Sequence, residues 1–164
     1  MVINDNYRLA PWADALYACD TAWWEHHHGA ADFTGQKWTQ SAEAAARYGL
    51  QHIRGEQKPG LSLEPGCIHL GINSGYQALN LALHFGVRQI LLLGFDMKLS
   101  PDGKRHWFGD HPGALNKNSR YDLMMEHFAT TLPDLKTAGV EVINCSRDTA
   151  LACFPRLPLR DVLK

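Results

Sequence analysis

The chain has 164 residues, 45% hydrophobic and 20% charged, with a net charge of −1 at neutral pH. That length suits one domain with a core of its own, and the balanced charge sets up no global positive field toward nucleic acid or an anionic membrane. The longest strongly apolar run, 90–93, is far too short to span a bilayer. Residues after Met1 lack the basic start and apolar stretch of a secretory signal. The four cysteines form no Cys-x-x-Cys pair and read as isolated reduced thiols of a cytoplasmic protein.

Residues 1–4 are a short apolar run that breaks at Asp5-Asn6-Tyr7, a strand end followed by a loop. Residues 15–20 predict a second strand, again ending in a carboxylate, Asp20. The aromatic, His-rich stretch 23–35 reads as a loop with some helix. Residues 37–40 predict a short strand. Ser41 caps a helix over 42–48, which Gly49 closes. With two prolines, two glycines and mixed charge, 51–65 reads as a mobile or variable connection.

Residues 74–85 predict an amphipathic helix with Ala78, Leu79, Ala82, Leu83 and Phe85 toward the core, stopped by Gly86. The continuous apolar centre of 89–95 predicts a strand covered on both faces, ending at Asp96. A long loop, 99–115, holds Asp102-Gly103 and His111-Pro112-Gly113. Ser119 with Asp122 fits a capping box. The helix it opens carries Leu123, Phe128 and Leu132 inward; Pro133 kinks it or starts a second piece, and Gly139 ends it. Residues 140–145 predict a strand and 159–163 a short helix. Strands alternate with helices, with no internal repeat, low-complexity tract or second domain. The expected fold is a single α/β domain, a Rossmann-like three-layer sandwich on a mostly parallel sheet.

The polar turn Asn73-Ser74-Gly75 opens the 74–85 helix, and its first amides can meet a phosphate. Gly75 leaves room for close backbone approach and Ser74 can cap; an ordinary cap without a ligand fits as well. Asp96 and Asp20 end predicted strands, at the edge where open parallel sheets bind ligands. Either can hold Mg²⁺ beside phosphates, or cap a helix. Asn4, Asp5 and Tyr7 can touch a base or sugar, or close a turn on their own backbone. His111 is the candidate general base, because a neutral imidazole with a pKa near ~6.5 takes a proton at physiological pH. Asp110 or Asp96 would orient it; a surface histidine held before Pro112 is the alternative. His26-His27-His28 makes a poor metal site, since successive residues share no face and the His-Glu-x-x-His spacing is missing. Among five tryptophans, Trp107 can stack on a base or sugar ring. The others suit the core or an interface, with Trp23-Trp24 able to cover an edge in a homo-oligomer.

Three groups of residues resemble the bacterial sialyltransferases of glycosyltransferase family 42, the broader 6-hydroxymethylpterin diphosphokinase-like group and related phage proteins. Asn4-Asp5-Asn6-Tyr7 resembles an Asn-x-x-Tyr stretch that ends a strand near the nucleotide. Asn73-Ser74-Gly75 through Gly94-Phe95-Asp96 resembles the Ser-Gly helix and following Gly-x-Asp strand. His106-Trp107-Phe108-Gly109-Asp110-His111, with Asn144-Cys145-Ser146, Ala150-Leu151 and Phe154, resembles the catalytic-histidine loop and final strand. The resemblance covers nearly the whole chain and rests on the order and spacing of weak motifs.

It implies a transferase with a nucleotide-linked donor, a nucleotide sugar such as a CMP-sugar, and a small-molecule or glycan acceptor. Asn4, Asp5, Tyr7, Asn73, Ser74, Gly75 and Asp96 would surround the nucleotide, and His111 with Asp110 would activate the acceptor hydroxyl. Lys98, Arg105 and Trp107 would contact phosphate or acceptor, with no cofactor. The diphosphokinase branch implies instead a Mg²⁺-dependent transfer from ATP to a pterin-like alcohol. Members of the family open with a strand and a Gly-x-Gly-Pro-Ser-Leu loop, whereas Met1 here stands at the second strand. The stretch from Asp96 to His111 is also shorter than in the sialyltransferases and lacks their paired tyrosines. These departures suit a third expectation, a non-catalytic binding or assembly protein that keeps the fold.

Overall fold

The computed structural model describes residues 1–104 and 120–163. Strands β1 (Val2–Ile3), β2 (Ala15–Tyr17), β3 (Gln36–Thr39) and β4 (Gln51–His52) pair side by side in that order, all parallel. Val2 stands opposite Leu16, Leu16 opposite Lys37 and Trp38 opposite Gln51. The chain then runs through Ile53 into β5 (Arg54–Glu56), which pairs in parallel with β6 (Cys67–His69). Successive strand amides point to opposite edges. Accordingly Ile53 N donates to Thr39 O of β3 at 3.0 Å and Arg54 N to Gly66 O, just before β6, at 3.1 Å. A third parallel pair joins β7 (Gln89–Leu92) to β8 (Glu141–Asn144).

Parallel neighbours need long crossovers, and helices supply most of them, the link 57–66 between β5 and β6 having none. After β1 comes a 3₁₀ turn, Asn4–Arg8. Helix α1 (Thr21–His26) links β2 to β3, α2 (Ala42–Tyr48) links β3 to β4, and α3 (Ser74–His84) links β6 to β7. Helices α4 (Tyr121–Ala129) and α5 (Leu132–Ala138) precede β8, and α6 (Leu159–Val162) lies near the end. The protein is therefore a mixed α/β structure of short parallel sheets. No helix among the described residues is long and apolar enough to cross a membrane.

The period-2 alternation of β2 shows where the core lies. Leu16 and Ala18 join Trp23 and Trp24 of α1 and Ala44 and Ala45 of α2. Tyr17 points the other way, into a cluster with Ala78 and Leu81 of α3 and Ile68 of β6. Helices thus pack on both faces of β2. A third cluster gathers Tyr76 and Leu79 of α3 with Leu92, Phe128, Leu135 and Val142.

Polar side chains fix α3 in this setting. Asn80 is fully buried; its Oδ1 accepts from Ser62 N and His69 N, both at 2.8 Å, and its Nδ2 donates to Ser62 O at 2.9 Å. Tyr17 donates its hydroxyl to Gln77 Oε1 at 2.5 Å, while Gln77 Nε2 donates to Leu70 O at 2.9 Å. The Tyr76 hydroxyl donates to Gly60 O.

Several expectations change. The segment 51–65 is built into the structure rather than a loose connection. It contains β4 and β5, and its far end is tied by Gly60 N to Thr130 Oγ1 at 2.9 Å and Leu61 N to Asp134 Oδ2 at 2.7 Å. Strand β6 has no counterpart in the sequence reading, because three residues are too few to show a period. In β7, Ile90 and Leu92 face the third cluster, whereas Leu91 is half-buried and Leu93, just past the strand, is 54% exposed, so among the described residues the second face is only partly covered. Phe85 caps α3 at its C-terminus and is 42% exposed, resting edge-on against Trp38. Leu132 opens α5 and is 42% exposed, because the break at Thr131 resets the helical phase and turns Leu135 inward. Arg120, not Ser119, immediately precedes α4, and its guanidinium pairs with Asp122; Ser119 lies outside the described residues.

Asn80→Ala leaves the buried amide and carbonyl of Ser62 and the half-buried amide of His69 without partners. We expect a loss of at least about 3 kcal/mol of unfolding free energy, read from urea denaturation; a loss under about 1 kcal/mol would mean that other groups satisfy them.

Candidate functional site

The carboxyl ends of the strands converge on the start of α3. Beyond β2 stand Cys19 and Asp20; beyond β3 stand Gln40 and Ser41. Ser74 Oγ donates to Cys19 Sγ at 3.0 Å, and Gln40 Nε2 donates to Cys19 O at 3.1 Å. The Thr21 and Ser41 hydroxyls meet at 2.7 Å. From the end of β7 comes Phe95, whose ring lies against Gly75: a β-carbon there would stand 2.9 Å from Phe95 Cε1 and 3.0 Å from Asn73 Oδ1. Gly75 is small to admit that ring, a contact the sequence does not reveal.

Asn73 is the N-cap of α3, its Oδ1 accepting from Tyr76 N at 2.9 Å. Its Nδ2 is buried and has no hydrogen-bond partner among the described residues. By helix geometry the Ser74 and Gly75 amides have no carbonyl four residues back. No acidic side chain occupies the first turn, so the positive end of the helix dipole meets no carboxylate from its own turn. This is a donor-rich helix start beside two strand ends, suited to an anion.

The Cys19 thiol beside it is pushed up to about 12, chiefly by burial and secondarily by the charge of Asp20, against the hydrogen bond from Ser74. It stays protonated at neutral pH, a structural acceptor rather than a nucleophile. All four cysteines are free.

Asn4, Asp5 and Tyr7 sit at the carboxyl end of β1 in the 3₁₀ turn. Asn4 adopts φ 49°, a left-handed conformation that asparagine tolerates. Asp5 points inward: it accepts from Trp23 Nε1 at 3.0 Å and lies 3.4 Å from His27 Nε2. Tyr7 stands edge-on to Trp23, with its hydroxyl 3.4 Å from His27 Nδ1. The Asp5 and Tyr7 side chains therefore tie the turn to α1. His27, hidden in sequence within a histidine run, is the buried hub of that cluster. The only sequence signal for it is its place four residues after Trp23, one turn on along the same face. Trp23 and Trp24 are themselves core residues, so they are not available as the edge-covering pair of an oligomer. Trp12 is the exposed tryptophan among those described, at 82%.

Asp96 and Lys98 follow β7 on a turn anchored to the segment after β8. Phe95 N donates to Ser146 Oγ at 2.8 Å, and Ala150 N to Asp96 O at 2.8 Å. Partial burial, then the charge of Asp148, raises the Asp96 carboxyl above its ordinary value, with Lys98 opposing. Lys98 pairs with Asp148 at 2.6 Å. Both Asp96 and Lys98 line an open cavity of about 1100 Å³ at the ends of β7 and β8.

Glu56, Glu64 and Cys67 bring ligand atoms within 4.8 Å of one another. Arg54 already bridges both carboxylates and Lys58 pairs with Glu56, so the trio reads as an ion-pair network. His111, Asp110, Arg105 and Trp107 lie outside the described residues.

Compared with protein-family models, curated proteins and solved structures, the chain shows no significant match to any.

At pH 8, a thiol with a pKa of about 12 has about a thousandfold less thiolate than one of about 9. Native Cys19 should therefore be alkylated by iodoacetamide more slowly by about that factor, as followed by peptide mass spectrometry. Labelling at the rate of a free thiol would contradict the burial described.

Proposed function

We propose that the chain is a Rossmann-like α/β transferase of the cytoplasm that binds a nucleotide-linked donor, a nucleotide sugar, at the start of α3. One observation carries this reading: the unpartnered Asn73 Nδ2 and the first-turn amides stand together where parallel strands end. Open parallel sheets place their ligands there. The likeness of the sequence motifs to glycosyltransferase family 42 supports a CMP-sugar in particular.

In this reading the donor phosphates accept hydrogen bonds from Ser74 N, Gly75 N and Asn73 Nδ2, and Asn4 lies toward the base or ribose. The acceptor hydroxyl oxygen attacks the anomeric carbon, and the bond from that carbon to the phosphate oxygen breaks. His111 would take the hydroxyl proton, oriented by Asp110 or Asp96, and Trp107 would stack on a base or sugar ring. Lys98 or Arg105 offsets the charge left on the departing phosphate. No metal is required.

A second reading draws on Asp96, a carboxylate just past the end of β7 that lines the open cavity. One or two carboxylates with substrate phosphates hold Mg²⁺, as a diphosphokinase using ATP on a pterin-like alcohol requires.

A thermal-shift panel tests both. It uses CMP, CDP, UDP, ADP, ATP and CMP- and UDP-sugars, each with and without Mg²⁺. A ligand at 100 times its Kd adds about 2.7 kcal/mol. The proposal expects a metal-independent shift with cytidine nucleotides that Asn73→Ala abolishes. An ATP shift that needs Mg²⁺ would favour the second reading. No shift with any nucleotide would contradict both and leave a non-catalytic binding role.

A further inference from the structure

The cavity at the ends of β7 and β8 has a composition of its own. Lys98, Arg147, Arg156 and Arg160 line it, against two carboxylates, Asp96 and Asp148. Asp148 is held by Lys98 at 2.6 Å, and Lys98 and the charge of Arg156 keep its carboxyl below the ordinary range. Arg156 is built in: it bridges Asn144 of β8 in parallel, and its guanidinium donates to Arg147 O. The Arg147 guanidinium has no hydrogen bond or ion pair among the described residues. Beside these groups Leu93, Leu99 and Leu157 line the same cavity, all three exposed.

We propose that this cavity binds a phosphate monoester carried on an aliphatic body. With Lys98 paired to Asp148 and Arg160 to Asp161 at 3.6 Å, the Arg147 and Arg156 guanidiniums are the cations left to meet a phosphate. Guanidinium groups recognise phosphate oxygens with paired N–H donors. The exposed leucines give the aliphatic part a surface to leave water against, at roughly 25 cal/mol per Å². The concave volume suits a small organic ligand. The cavity shares Lys98 and Asp96 with the nucleotide readings, but the assignment rests on Arg147, Arg156 and the leucines rather than on the start of α3.

Titration calorimetry of the full chain tests it with hexyl phosphate, hexanoate and inorganic phosphate as probes. The expected result is saturable binding of hexyl phosphate that weakens as salt rises, and is at least about tenfold tighter than for hexanoate or inorganic phosphate. Arg147→Gln should lower hexyl phosphate affinity by at least about tenfold with an unchanged melting temperature, because that side chain is exposed and has no ion pair among the described residues. Lys98→Gln should weaken it as well, whereas Asn73→Ala should leave it unchanged, separating this cavity from the α3 site. Inorganic phosphate binding as tightly as the ester would reduce the cavity to a general anion patch and overturn the proposal. So would wild-type affinity in Arg147→Gln, or no binding of hexyl phosphate.

Discussion

Helix α3 holds the molecule together through buried polar side chains rather than through an apolar stripe alone. Asn80 ties the helix to the backbone at Ser62 and His69, Gln77 joins Tyr17 of β2 to Leu70, and Tyr76 reaches Gly60. Each such bond contributes only about 1 kcal/mol net, but leaving a buried group unpaired costs about 1–3 kcal/mol. Apolar contacts tolerate a slide along the helix axis; these directional contacts do not. They fix α3 in one register against β2 and β6, and this brings Ser74 to Cys19 and the first turn to the strand ends. The candidate site inherits its geometry from that clamp.

The elements legible in sequence are those whose signals are local. Ser41 and Gly49 bound α2 because capping and a left-handed closing residue act within one turn. The hydrophobic run of β8 and the restart of α5 near Pro133 are equally self-contained. What escaped depends on distant partners. The order of Gly60 and Leu61 comes from Thr130 and Asp134, 70 and 73 residues away, and a segment with Pro and Gly carries no trace of that. The exposed Phe85 and Leu132 sit at helix ends, where the helical period no longer decides which way a side chain points.

The same contrast applies to the site. The sequence offered Ser74 as the cap, whereas Asn73, one residue earlier, fills that position and Ser74 opens the helix. The contact of Phe95 with Gly75 and the inward turn of Asp5 onto Trp23 and His27 join residues from separate elements, and only the fold pairs them. The strand ends thus offer two distinct chemistries. At α3 the donors are backbone amides and one amide side chain, which suit a tightly fitted phosphate. At the β7–β8 end they are guanidinium and ammonium groups beside exposed leucines, which suit an amphiphile.

The most direct measurement is an NMR titration of the ¹⁵N-labelled chain with CMP, following the backbone amides of Ser74 and Gly75 and the side-chain amide of Asn73. The account predicts that these signals shift first and saturate together, without Mg²⁺. Saturating shifts confined to other parts of the chain, with the α3 start unmoved, would contradict it.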